Sequence, residues 1–121
     1  MVLRVGIDHV EIGRIEKAMQ NPKFLPRFFG VGELALLERR GFPPASVAAG
    51  FCAKEAFSKA LGSGLRGFRL CEVELLREAG GRPYLLFSGR ALELVEESGL
   101  SFEVSISHDR RYAMAQVIGF G

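Results

Sequence analysis

The segment FCAKEAFSKALGSG, residues 51 to 64, restricts this chain more than any other. Its spacing predicts a helix from about Ser46, an N-cap residue type, to Leu61, with Gly62 where a helix-closing glycine sits. A helix so rich in alanine has short side chains and must lie close to whatever it packs against. One built only to pack has no use for Glu55, Ser58 and Lys59, and one facing solvent would carry more charge. At about 100° per residue, Ala48, Cys52, Glu55 and Lys59 fall on one stripe. The two charges therefore emerge from a closely packed face, as they would on a cleft wall. The simpler alternative is a surface Glu–Lys pair at i,i+4, worth about 0.2–0.5 kcal/mol.

Around that helix the chain alternates between strands and short helices. Residues 2 to 10 read as a strand. Residues 12 to 20 read as a helix with Ile12, Ile15 and Met19 on one face and Arg14 and Lys17 on another. Pro22 and Pro26 interrupt it, and a helix over 32–40 is stopped by GFPP. The second half predicts a strand over 68–76, a hairpin turning at Gly80–Gly81 and a glycine-closed helix over 88–99. Two paired strands follow, 101–109 and 111–120, joined around Asp109–Arg110. The order β-α-α-α-β-β-α-β-β predicts an α+β fold, a largely antiparallel sheet packed with helices, in one domain over residues 1–121.

Composition narrows the function classes. Apolar residues make up 48% and charged residues 25%, a globular balance. No apolar run approaches the roughly 20 residues of a membrane span, and the N-terminus lacks the zones of a signal peptide, so a cytoplasmic location is expected. Cys52 and Cys71 lack C-x-x-C spacing and read as buried free thiols, not as a disulfide framework or zinc site. The net charge of +2 is too small to argue for nucleic acid. Its distribution says more: residues 1–70 hold eleven Lys and Arg against six Asp and Glu, the remainder five against eight. A basic N-terminal half suits phosphates or an acidic partner.

Three further groups are candidates for chemistry. Asp8, near the end of the first strand, is either a solvated carboxylate or a ligand for a hard cation, because Mg²⁺ prefers one or two carboxylates plus substrate phosphates. His9 should point to the opposite face and not converge with it. The Gly62-Ser63-Gly64 run evokes a phosphate cradle, yet it follows a helix C-terminus, where the dipole is negative; a cap-and-turn role suits it better. SISHD (105–109) places Ser, His and Asp in a row, but alternating faces keep Ser107 and His108 from forming a nucleophile–base pair. His108, at the strand's end, remains able to reach a pocket as a donor.

Taken together, GIDHVEIGRI (6–15), FCAKEAFSKALGSG (51–64) and SISHDRRYAMAQVI (105–118) resemble the holo-acyl-carrier-protein synthases, the short 4′-phosphopantetheinyl transferases. The family's patterns are G-I/L-D-x-x-E, F/W-A-A-K-E-A-x-x-K-A-L/F-G-T/S-G and I/S/L-S/T-H-x-x-x-Y-A. The hairpin GGRPY (80–84) matches its G-K/R-P habit, and the match runs in order along the whole chain. Departures are mild. Cys52 replaces a usual Ala, Ser63 stands where Thr is frequent, and His9 occupies a usually aliphatic position. Gly30 stands where Thr or Ser is common, which should weaken the cap of the following helix.

The resemblance implies transfer of the 4′-phosphopantetheine arm of coenzyme A to a serine of apo-acyl carrier protein, releasing adenosine 3′,5′-bisphosphate, in support of fatty acid biosynthesis. It implies that Asp8 and Glu55 hold Mg²⁺ (or Mn²⁺) and that Lys59 neutralises pyrophosphate charge or assists the leaving group. Glu55, directly or through a bound water, is the first candidate for general base. Ser58, Gly62, Ser63, Gly64 and His108 would contact coenzyme A. Arg14, Lys17, Lys23 and Arg27 would steer and dock the acidic carrier protein. Family members are typically trimers with active sites between subunits, so the GGRPY hairpin is expected to complete a neighbour's site. Two rivals remain: a metal-free thioesterase of the hot-dog kind, which the Pro22, Pro26 and FPP interruptions argue against, and a non-catalytic module holding an acidic protein through the basic helix. The second leaves Asp8, Glu55 and Lys59 unexplained.

Overall fold

The computed structural model describes residues 1–62 and 67–121. In chain order the elements are β1 (Leu3–Glu11), α1 (Ile12–Ala18), α2 (Phe24–Phe28), α3 (Val31–Arg39) and α4 (Pro44–Leu61). A 3₁₀ turn (Leu70–Glu72) leads into β2 (Val73–Arg77), followed by β3 (Pro83–Phe87), α5 (Gly89–Ser98), β4 (Ser101–His108) and β5 (Tyr112–Phe120). Every strand pairing is antiparallel, but the pairings form two sheets, β1-β5-β4 and the β2-β3 hairpin. The expected α+β class holds, with the single sheet divided in two.

Four local expectations are corrected. Helix α4 starts at Pro44 with Pro43 as its N-cap, not at Ser46. Proline suits the first helical position because its missing N–H has no partner there and its φ is already helical. The Ser46 backbone N–H instead donates to the Pro43 carbonyl within the first turn. Residues 24–28, where no element is expected, form the short helix α2, with Pro26 in its first turn, where no intrahelical N–H is required. Helix α1 ends at Ala18, two residues early, with Lys17 in its last turn. The strand expected from residue 68 begins only at Val73, because Leu70–Glu72 wind into the 3₁₀ turn.

Gly30 shows how a missing cap is replaced. The Glu33 backbone N–H donates 2.9 Å to Glu74 Oε1 from β2, and the Gly30 N–H donates 3.0 Å to Glu33 Oε1. A Cβ at Gly30 would come within 2.5 Å of the Glu74 carboxyl, so the residue that lacks a capping side chain makes room for one from another element.

Helix α4 lies across the inner faces of β1 and β5. Phe57 is its central knob, 4.8 Å from Phe87, 5.0 Å from Phe102 and 5.6 Å from Phe68 between ring centroids. Along the strand side the helix is nearly smooth: Ala48, Ala49, Ala53, Ala56 and Ala60 are all buried. That smoothness lets β1 come very close. A Cβ on Gly6 would sit 1.9 Å from the Ala56 carbonyl oxygen, so only glycine fits. Asp8 is two residues further along the same strand face.

Candidate active site

Helix α4 and strand β1 bring Asp8, Glu55 and Lys59 together where the two elements meet. Lys59 Nζ donates to the Ile7 carbonyl oxygen at 2.9 Å and to Asp8 Oδ1 at 3.3 Å. Asp8 is 21% exposed and Lys59 57%, so the pair lies at the lip of the packed region. Glu55 is half-buried one helical turn before Lys59. Burial pushes its carboxyl above the usual carboxylate range, the Asp8 charge adds to that, and Lys59 pulls the other way. Beneath them lies Cys52, buried, its thiol donating 3.5 Å to the Ala113 carbonyl. Burial, followed by the charges of Asp8 and Glu55, pushes that thiol up to about 12, so it stays protonated. Glu55 and Lys59 thus stand on the stripe of α4 that passes over buried Cys52 and meets Asp8 of β1.

Two neighbouring carboxylates, Asp8 and Glu55, with the Lys59 ammonium beside them, suit a hard divalent cation. No group of three or more His, Cys, Asp or Glu is gathered among the described residues. An ion here would keep open positions for water or phosphate oxygens, which fits Mg²⁺. His9 lies on the opposite face of β1 from Asp8, exposed, with its ring 6.0 Å from Tyr112.

The other expected residues are distributed as follows. Ser58 is buried on α4, and its carbonyl accepts the Gly62 N–H at 3.1 Å. Gly62 closes the helix in the left-handed conformation with φ 89°, the cap role read from the sequence. Ser63 and Gly64 lie outside the described residues. His108 ends β4, exposed, with Nδ1 3.4 Å from the Asp109 carbonyl oxygen, and shares a hollow with His9, Ser107, Asp109, Tyr112 and Met114. Asp109 is not part of a triad: its Oδ1 accepts the Arg111 and Tyr112 backbone N–H groups at 2.8 and 2.7 Å, which close the turn and hold its pKa below the usual value. Arg14, Lys17, Lys23 and Arg27 are all exposed along α1, the following turn and α2. Lys23 and Arg27 flank a shallow hollow with Phe24 and Phe28, and the Arg27 guanidinium lies 5.2 Å from the Phe28 ring centroid.

Two features were not anticipated. Lys54, adjacent to Glu55, is entirely buried against Glu33, which is 2% exposed. Its position four residues after Gly50 and three before Phe57 places it on the packed face, the one available signal. The other is the outer face of the three-stranded sheet, where Leu3, Val5 and Ile7 are each more than half exposed and Met114, Ile118 and Phe120 lie beside them on β5. Strict alternation along 112–120 carried that information.

Residues 4–117 match the model of the 4′-phosphopantetheinyl transferase superfamily. A protein named holo-acyl-carrier-protein synthase from Treponema denticola is 45% identical over 121 residues, covering 98% of each chain. One of the same name from Moorella thermoacetica is 43% identical over 116 residues, 94% of this chain and 91% of the relative. The crystal structure of the Helicobacter pylori holo-acyl-carrier-protein synthase in complex with coenzyme A superimposes with a TM-score of 0.83 at 32% identity, covering 96% of this chain and 99% of that one. That of the Neisseria meningitidis synthase gives 0.91 at 29% identity, covering 98% of both.

Proposed function

The chain belongs to the 4′-phosphopantetheinyl transferase superfamily, and from that premise we propose that it acts as a holo-acyl-carrier-protein synthase in one catalytic domain over residues 1–121. It transfers 4′-phosphopantetheine from coenzyme A to a serine of apo-acyl carrier protein. The observation that carries the reading is the convergence of Asp8, Glu55 and Lys59 at the α4–β1 contact, on motifs shared with relatives of that name.

In this reading the serine oxygen forms a bond to the phosphorus that bears the pantetheine arm. The bond from that phosphorus to the bridging oxygen breaks, and adenosine 3′,5′-bisphosphate leaves with the electron pair. The serine proton goes to Glu55, directly or through a water, and the raised pKa of its carboxyl supports that assignment. Lys59 balances charge on the pyrophosphate, and its hold on the Ile7 carbonyl supports a fixed ammonium position. Asp8 and Glu55 would hold Mg²⁺, which when bound would neutralise phosphate charge. Gly62, with Ser58, Ser63, Gly64 and His108, would border coenzyme A. Exposed Arg14, Lys17, Lys23 and Arg27 would receive the acidic carrier protein.

A homotrimer with sites between subunits is part of the same proposal. The exposed apolar face of β1 and β5 supports it, since such a face is unusual on a monomer. The hairpin Gly80–Tyr84 would then reach a neighbour's site. Among the described residues no helix is long and apolar enough to cross a membrane; a cytoplasmic role in fatty acid biosynthesis completes the reading. Chromatographic measurement of adenosine 3′,5′-bisphosphate tests it. Release must require both the apo carrier protein and a divalent cation; release with holo carrier protein, or none with any apo form, would overturn the reading.

A further inference from the structure

The three N–H groups of the Lys54 ammonium have defined surroundings. Its Nζ donates to Glu33 Oε1 and to the Val73 carbonyl oxygen, both at 2.5 Å, and lies 4.8 Å from the Phe29 ring centroid. Glu33 is equally occupied: Oε1 also accepts the Gly30 N–H, and Oε2 accepts the Leu75 N–H at 2.8 Å. One ion pair therefore ties α3, α4 and β2 together with no buried side-chain polar atom left unpartnered among the described residues.

The position of this pair matters because of what surrounds it. The alanines of α4 are buried but give it few projecting knobs on the β1 side, and non-directional contacts of that kind resist sliding and rotation weakly. Directional bonds at Lys54 resist both. Lys54 and Glu55 are consecutive, so fixing the phase of one fixes the other at about 100° away. A buried ion pair is a poor source of stability compared with apolar packing, and its best-attested use is to set register.

We propose that Lys54 and Glu33 are positioning residues: their buried pair fixes the register of α4 and so places Glu55 and Lys59 against Asp8. The inference rests on the transferase reading given above. Neither residue touches substrate; they act through the helix.

Glu33→Asp keeps the charge pair but shortens the carboxyl arm by one methylene. It is expected to lower kcat about tenfold, because misplacement on the order of 1 Å costs up to about 10²-fold, while KM for coenzyme A stays within twofold. Glu33→Gln with Lys54→Met removes both charges, keeps an acceptor for one of the two backbone N–H groups that Glu33 serves, and is expected to show the same split in its folded form. A folded variant of either kind, verified by circular dichroism and a cooperative melt, that retains wild-type kcat overturns the proposal. If one variant does not fold, the other decides. Loss confined to the KM for coenzyme A also overturns it. An inactive wild-type protein would instead refute the transferase reading, so the two failures are separable.

Discussion

Lys59 Nζ sits 3.3 Å from Asp8 Oδ1 while donating 2.9 Å to the carbonyl of Ile7, the residue just before it. A cation from α4 is thus held by two consecutive residues of β1. Among the described residues it is the charge that draws the Glu55 carboxyl down against burial and the Asp8 charge. Lys59→Met should lower kcat roughly 10²-fold, the scale of losing one transition-state donor. It should also let the Glu55 carboxyl rise further, moving the acidic limb of the pH–kcat profile to higher pH. A lowered kcat with an unmoved limb would mean that Lys59 does not face Glu55.

Glu55 carries a cost in the folded protein. A carboxyl whose folded pKa exceeds its unfolded value binds its proton more tightly when folded. The corresponding stability is present below the unfolded pKa and lost as pH rises through the folded one. Glu55→Gln should therefore raise the melting temperature of the metal-free protein at pH 7 by about 2–5 °C, with little gain at pH 4, while turnover falls at least about 10²-fold. Calorimetry at the two pH values checks the sign.

Gly6 determines how near Asp8 comes to Glu55. Gly6→Ala would drive a methyl into the Ala56 backbone carbonyl, not into a flexible side chain, so the strand or helix must move. The expected loss is about 3 kcal/mol or more in urea unfolding, at the upper end of overpacking costs. Turnover should fall more than the unfolded fraction explains. Wild-type stability in this variant would show that the helix–strand contact is looser than described.

The exposed basic surface should govern the protein substrate alone. Arg14→Glu with Arg27→Glu should raise KM for the acyl carrier protein and flatten its salt dependence, leaving KM for coenzyme A within twofold. Parallel changes in both constants would instead place these residues near the nucleotide.

Much of this was legible before folding, for physical reasons that differ by residue. Gly62 and Gly99 close their helices because both sites need positive φ, a local demand that sequence displays directly. The inward placement of Asp8 and outward placement of His9 follow from strand alternation. Lys54 stayed hidden because its partner Glu33 lies 21 positions away and a lysine beside a glutamate reads as surface charge. The 3₁₀ turn at Leu70–Glu72 was masked by apolar, strand-like residues. Its geometry depends on tertiary bonds, among them the Ala91 N–H donating 3.3 Å to Glu72 Oε1. The Glu74 cap on α3 is likewise a contact between distant segments that no local pattern reports.

Intact-mass spectrometry of an apo-acyl carrier protein incubated with this protein, coenzyme A and Mg²⁺ tests the central claim most directly, with an EDTA control and an Asp8→Asn variant alongside. The expected result is a gain of one phosphopantetheine arm, absent when the carrier's acceptor serine is alanine, abolished by EDTA and strongly reduced in the variant. No gain with several competent carrier proteins, from folded protein with metal present, would contradict the transferase assignment. An undiminished gain in EDTA and in Asp8→Asn would contradict the role given to Asp8 and Glu55.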